Sequence, residues 1–184
     1  MKIVVTPMCE KIVLWAGICD YTVNKFPDTE KNMDIAIVLA ERETNMDSIN
    51  ISLNTFKQIK ESINKISQIF KTDIDEETIE KIFKNNRDAY NIIDNLDNIR
   101  YENKDINVKV YSNFLKDIVC DLGFNIINDE NTDYNIVIYP DYLSNQISME
   151  NKDCKLIKVA SHSNVPNNPL ERAVTRYNII LNNI

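Results

Sequence analysis

The sequence contains very little glycine, with only Gly17 and Gly123 among its 184 residues. A GxGxxG loop or a Walker A loop needs several glycines at short spacing, because bare backbone must approach the phosphates closely. The two glycines here stand in opposite halves of the chain. Their scarcity therefore excludes the glycine-rich phosphate loops of dinucleotide-binding proteins and P-loop NTPases.

The chain also lacks closely spaced cysteine pairs and has a single histidine. Cys9, Cys19, Cys120 and Cys154 form neither a CxxC nor a CxxxC motif. This scatter predicts free and mostly buried thiols in a reducing compartment, and it argues against a structural zinc or iron–sulfur site made from this chain alone. Any Cys/His or Ser/His pair must use His162, the one histidine.

Basic clusters and long apolar runs are missing as well. The net charge is −7 and the pI is near 4.8, and such a surface repels phosphate backbones and anionic lipid. No apolar run approaches the roughly 18 residues of a membrane span. The first residues enter a strand pattern directly, without the features of a secretory signal. We therefore expect a cytoplasmic protein that binds neither nucleic acid nor membrane.

Strand and helix patterns alternate along the chain. In the first part, a strand at 2–6, a helix at 8–18 and a strand at 34–40 form a βαβ unit. The second strand is continuously apolar, which indicates a parallel sheet with both faces covered. The second part contains strands at 107–111, 124–127, 134–139 and 155–160, a helix at 113–122, and a terminal helix after Asn168 and Pro169.

Between these parts, apolar residues at three- and four-residue spacing predict two long helices, at 53–70 and 75–97. The fold class is thus α/β, with two small Rossmann-like parallel-sheet lobes connected by long helices. The predicted domains are a first lobe at 1–50, a helical spacer at 51–104 and a second lobe at 105–184. One compact domain overall is the alternative.

Order and spacing resemble a known fold family. The residues that carry the likeness are Thr6-Pro7 followed by the helix at 10–17, the Phe26-Pro27 loop, and the stretches 112–124 and 133–138. They are similar to the periplasmic-binding-protein-like metal-, siderophore- and vitamin-B12-binding proteins, in which a helical backbone joins two α/β lobes. Compared with those proteins, we expect this chain to be shorter, to have fewer strands in its first lobe and to be without their export signal. The resemblance therefore implies a reduced, intracellular relative, and the composition is similar to that of methanogenic archaeal proteins.

Polar residues follow the predicted strands, at the edge where ligands bind in open α/β sheets. The candidate ligand-binding residues at this edge are Thr6, Cys9, Glu10, Glu41, Arg42, Ser112, Tyr139, Asp141 and His162.

Several of these residues suggest specific chemistry. Cys9 near a helix N-terminus is a candidate thiolate nucleophile or soft-metal ligand, with a buried structural thiol as the alternative. Cys9 and His162, joined by Glu10 or Glu41, would make a three-ligand metal site that suits zinc. Arg42 would bind an anionic ligand if it faces the crevice, and otherwise belongs to a solvated loop.

Tyr139 offers an aromatic ring to a planar ligand, or else forms a half-buried lid on the core. No motif identifies a cofactor. We expect a ligand-binding or accessory protein that holds a metal complex or cofactor intermediate, or serves a metalloenzyme, with a small molecule or a protein as partner. The alternatives are a small enzyme that uses Cys9 or His162, and a structural subunit of a larger complex.

Overall fold

A computed structural model describes residues 1–128, 133–150, 154–161 and 165–184, with the side chains of 148–150 left aside. The chain divides into two compact units. The first contains Met1–Ala89 and Asn167–Glu171, and the second contains Tyr90–Pro166 and Arg172–Ile184. Each unit has one four-stranded sheet, and all neighbouring strands in both sheets are parallel. The predicted class, an α/β protein with two parallel-sheet lobes, is confirmed.

The first sheet has the strand order β2-β1-β3-β4. Its strands are β1 (Ile3–Val5), β2 (Thr22–Val23), β3 (Ile35–Leu39) and β4 (Ser48–Ile51). The helices in this part of the chain are α1 (Glu10–Trp15), α2 (Phe56–Phe70), α3 (Glu76–Lys84) and α4 (Arg87–Asp94), together with single 3₁₀ turns at Pro7–Cys9 and Pro27–Thr29.

The second sheet repeats this topology with the order β6-β5-β7-β8. Its strands are β5 (Asn107–Val110), β6 (Asn125–Ile126), β7 (Ile136–Pro140) and β8 (Lys155–Val159). The remaining helices are α5 (Leu96–Asn103), α6 (Asn113–Asp121), α7 (Ser144–Glu150) and α8 (Pro169–Leu181), with a 3₁₀ turn at Asp141–Leu143. All four strands predicted for the second lobe are present.

Both units use a glycine to end the helix that follows their first strand. Gly17 and Gly123 have φ angles of +82° and +84°. In each case the glycine amide and the next amide donate to carbonyls in the last turn of the helix, which is the Schellman arrangement. The chain thereby reverses and enters the short second strand of each sheet. The only two glycines of the sequence occupy these two positions.

Two predictions about the first half are wrong. The first lobe has four strands, not two. The sequence pattern did not reveal β2, which is only two residues long, or β4, whose side chains alternate between exposed and buried. The helix predicted at 75–97 is divided among α3, α4 and α5. It breaks near Asn86, whose side chain accepts a hydrogen bond from the Ala89 amide and so starts α4 as a cap. No described helix is long and apolar enough to cross a membrane.

Residues 51–104, predicted as a helical spacer, are shared between the units. Most of the segment, including α2 and α3, lies in the first unit, while α5 lies in the second. Each sheet packs apolar strand residues inward. Val4, Ala36 and Val38 are fully buried in the first unit, and Val137 and Ile138 are fully buried in the second.

Candidate functional site

The carboxyl edge of the second sheet carries a polar cluster. Asp141 directly follows β7, and Ser161 comes two residues after the end of β8. Because these strands are adjacent and parallel, their ends meet at the same edge. Ser161 donates to Asp141 Oδ1 from its hydroxyl at 2.6 Å and from its amide at 3.2 Å. The Tyr142 amide donates to the same oxygen at 3.1 Å.

These hydrogen bonds favour the ionised form of Asp141. The bond from the Ser161 hydroxyl is the largest effect and lowers the pKa of the Asp141 carboxyl. Burial, the next largest, opposes it, and backbone amides lower the pKa further. Since the pKa lies below its ordinary value, the group is a carboxylate at neutral pH. A fixed carboxylate at a strand end is a hard oxygen ligand for a cation or an acceptor for a donor group.

Arg176 holds the opposite side of Ser161. Its guanidinium donates to the Ser161 carbonyl at 2.6 Å and to the Ala160 carbonyl at 3.3 Å. The guanidinium carbon lies 4.7 Å from the centre of the Phe114 ring, within cation–π range. The amide, hydroxyl and carbonyl of Ser161 are therefore all bonded, and its position at the sheet edge is fixed.

A second arginine on α8, the helix that carries Arg176, donates to a backbone carbonyl further along the chain. Arg172 lies one turn before Arg176 on α8, and its Nη1 donates to the Pro166 carbonyl at 3.0 Å. Both side chains are buried, at 1% and 5% exposed. His162, predicted as a ligand, follows Ser161 in the sequence but lies outside the described residues.

The first sheet has apolar residues at the corresponding positions. In each sheet, the amide of the residue that follows β1 or β5 donates a hydrogen bond to a carbonyl of β3 or β7, respectively. These two equivalent bonds define which residues of the two sheets correspond. Counted from these bonds and from the strand registers, Asp141 corresponds to Ala40 and Ser161 to Leu53. A sheet of this order therefore forms without a polar pair at its edge. The fold alone therefore does not explain why the second unit has Asp141 and Ser161 at these positions.

Two predicted site residues meet in the first unit, where they are buried. The Thr6 hydroxyl donates to Cys9 Sγ at 3.3 Å, and Cys9 is fully inaccessible to solvent. The 3₁₀ turn Pro7–Cys9 turns the thiol into the core rather than toward the sheet edge. Burial suits a structural thiol and opposes the solvent access that a nucleophile or an exchangeable metal ligand needs.

The other predicted residues of the first unit lie nearer the surface. Glu10 is partly exposed beside Tyr21, whose pKa is raised first by burial and then by the charge of Glu10. Glu41 is exposed, while Arg42 is half-buried with its guanidinium carbon 5.9 Å from the centre of the Phe26 ring. Arg42 thus has an aromatic neighbour that the sequence reading did not assign to it.

In the second unit, two predicted residues have local roles. The Ser112 hydroxyl accepts from the Leu115 amide at 3.4 Å and caps α6. Tyr139 is only 6% exposed and packs with Val137 and Ile147, so its ring is part of the core. Asp141 is therefore the predicted residue that the structure places in a polar cluster of the second unit.

The thiols are free, as predicted, but the expectation that most are buried is wrong. Cys19 and Cys120 are exposed, because one follows the end of α1 and the other lies on an outer face of α6. In the described ranges, no three His, Cys, Asp or Glu side chains lie close enough to hold a metal ion.

The fold and site together define an α/β protein of two parallel-sheet lobes with a polar cluster at the carboxyl edge of the second sheet. No family model matches the chain, and no curated protein sequence matches it significantly. Solved structures do share its fold.

The Mn-bound periplasmic metal binding protein from Candidatus Liberibacter asiaticus aligns with a TM-score of 0.58 and 9% identity over 99% of both chains. A Zn(II)-bound variant of AdcAII from Streptococcus pneumoniae has a TM-score of 0.56 and 9% identity over 100% of this chain and 98% of its own. The SBP FpvC from P. aeruginosa, in complex with Ni²⁺, has a TM-score of 0.54 and 11% identity over 100% and 96%. The chain therefore has the periplasmic-binding-protein-like fold that the resemblance predicted.

Proposed function

We propose that the protein is a ligand-binding or accessory protein that holds a divalent metal ion, or a small complex of one, at the carboxyl edge of its second sheet. The observation that carries the proposal is the Asp141 carboxylate, held in its ionised form where the first sheet has Ala40. The likeness to proteins named for binding Mn, Zn and Ni supports the same class of ligand. Fold alone does not specify a ligand, so the site residue is the stronger support.

The donor set favours an ion that keeps part of its own ligand shell. Asp141 supplies carboxylate oxygen, and the described residues supply no third close donor of the acidic, thiol or imidazole type. Mg²⁺ and ions of similar preference are commonly bound through one or two carboxylates and retain water or substrate oxygens. A hydrated ion or an organic chelate therefore fits this edge better than a bare ion in an all-protein cage. His162 stays a predicted nitrogen ligand.

Calorimetric titration with MnCl₂ tests the proposal. Asp141→Asn keeps the shape and the acceptor oxygen for Ser161 but removes the charge. We expect it to weaken Mn²⁺ binding by at least about tenfold, since loss of groups that only support metal ligands already costs 10–100-fold.

The matched control is Asp133→Asn, because this exposed residue precedes β7 while Asp141 follows it. The control makes the same charge change at the opposite end of the same strand and should bind like the wild type. Equal affinities for the wild type and both variants would contradict the proposal. The alternatives, a small enzyme and a structural subunit, stay predictions, as does the cytoplasmic location.

A further inference from the structure

Helix α8 buries two positive charges on one face, at Arg172 and Arg176. Moving a guanidinium out of water is unfavourable, and an apolar side chain of similar volume generally serves stability as well or better. Stability therefore does not account for the presence of two arginines here.

The corresponding helix of the first unit shows which side chains this fold has at the equivalent buried positions. Both α2 and α8 follow the fourth strand of their own sheet. Counted from the first residue of each helix, the fourth and eighth positions are Ile59 and Ile63 in α2 and Arg172 and Arg176 in α8. The two isoleucines are fully buried. The same two helix positions are thus filled by apolar side chains in one unit and by cations in the other.

The contacts of the arginines indicate what they do. Arg176 donates to the carbonyls of Ala160 and Ser161, at the start of the connection from β8 to α8. Arg172 donates to the carbonyl of Pro166, near the end of that connection. One face of α8 therefore binds backbone carbonyls near the start and near the end of the connection between β8 and α8.

Ser161 transmits this attachment to Asp141. Its carbonyl is bonded by Arg176, and its amide and hydroxyl donate to the Asp141 carboxylate. If Arg176 is removed, Ser161 loses the bond that holds it from the helix side. The carboxylate then loses part of the frame that orients it.

We propose that Arg172 and Arg176 are positioning residues, which hold the backbone at Ala160, Ser161 and Pro166, and through it Asp141, in the geometry for ligand binding without touching the ligand. The effect on ligand affinity rests on the proposed function. The effect on the backbone of the connection does not.

The test replaces both arginines by the residues that the first unit uses, in the variant Arg172→Ile/Arg176→Ile. We expect a melting temperature close to that of the wild type, since the gain from replacing buried charges by apolar side chains offsets the cost of the carbonyls left without a donor. Amide hydrogen exchange in the described residues 157–161 and 165–168 should nevertheless become faster by about tenfold or more, because the bonds to the Ala160, Ser161 and Pro166 carbonyls are gone. Mn²⁺ affinity should fall by at least about tenfold. A purely structural role predicts instead a lower melting temperature with faster exchange throughout the second unit.

Arg176→Lys provides a milder variant that keeps the charge and is expected to fold. Its single ammonium group cannot reproduce the planar fork, so exchange in 157–161 and 165–168 should rise by a smaller factor. Asn178→Ala, at an exposed position of the same helix, is the control and should change nothing. Unchanged exchange in 157–161 and 165–168 in both arginine variants would overturn the inference. If the wild type binds no Mn²⁺, the proposed function fails, while the exchange result still decides the role of the arginines.

Discussion

Gly123→Ala is expected to lower the free energy of unfolding by about 3 kcal/mol or more, through a left-handed backbone cost and an added steric clash. Gly123 has a φ angle of +84°, and an added Cβ would lie 2.6 Å from Arg100 Cα and 2.8 Å from the Arg100 carbonyl oxygen. Both contacts are with backbone, which side-chain rotation cannot relieve. Urea unfolding followed by circular dichroism measures the loss.

Gly17→Ala is the matched control, because Gly17 ends α1 as Gly123 ends α6 and has nearly the same φ angle, +82°. The added Cβ would meet only side-chain atoms there, with Ile74 at 3.1 Å and Thr72 at 3.3 Å. These contacts are longer than those at Gly123 and would be relieved by shifts of a few tenths of an ångström. The loss should therefore be close to the backbone cost alone, about 1–2 kcal/mol. Equal losses at the two glycines would contradict this account of the close approach at Arg100.

Asp121→Ala is expected to lower the free energy of unfolding by about 2–4 kcal/mol, because it removes the acceptor of two buried or half-buried donors. The Asp121 carboxylate accepts from the hydroxyl of Tyr177, which is fully buried, and from Arg100 Nη2 at 2.6 Å. The Asp121 side chain is only 12% exposed, so water does not easily replace it. The same urea unfolding experiment measures the effect.

Asp97→Ala is the control, because it removes an ion pair with the same arginine, Arg100, at an exposed position. Asp97 contacts Arg100 Nη1 at 3.0 Å but is 96% exposed. An exposed pair of this kind contributes about 0–1 kcal/mol, so this variant should unfold almost like the wild type. If Asp97→Ala were as destabilising as Asp121→Ala, the claim that burial of the Asp121 carboxylate causes the larger loss would be wrong.

The fold class was accessible from the sequence because buried parallel strands leave continuous apolar runs. The segment at 34–40 is such a run, and it forms β3, one of the two interior strands of the first sheet. β2 and β4 were missed for the opposite reason. One is too short to show a period, and the other exposes Ser48 and Asn50 at the sheet edge. The break at Asn86 was missed because an asparagine inside a periodic segment does not reveal that its side chain will cap a new helix.

The candidate site was accessible only in part. The rule that polar residues after parallel strands meet at one edge predicted that Asp141 lies at the edge of the sheet, and its bond to Ser161 follows from the pairing of β7 with β8. Arg172 and Arg176 were overlooked because arginine in an amphipathic helix is ordinarily placed on the solvent side. Their four-residue spacing beside inward-facing Tyr177 was the available signal. Cys9 was a candidate ligand because it lies near a helix start, with a buried structural thiol as the alternative, and the turn before α1 directs it inward.

The central claim, that a metal ion binds at the carboxyl edge of the second sheet, is tested most directly by NMR with substoichiometric Mn²⁺. The paramagnetic ion broadens the amide signals that lie nearest to it. The account predicts that the signals of Tyr142 and Ser161 broaden first, and that Asp141→Asn abolishes this effect. Broadening centred instead on the acidic start of α3, at Asp75, Glu76 and Glu77, with no response at Tyr142 and Ser161, would contradict it.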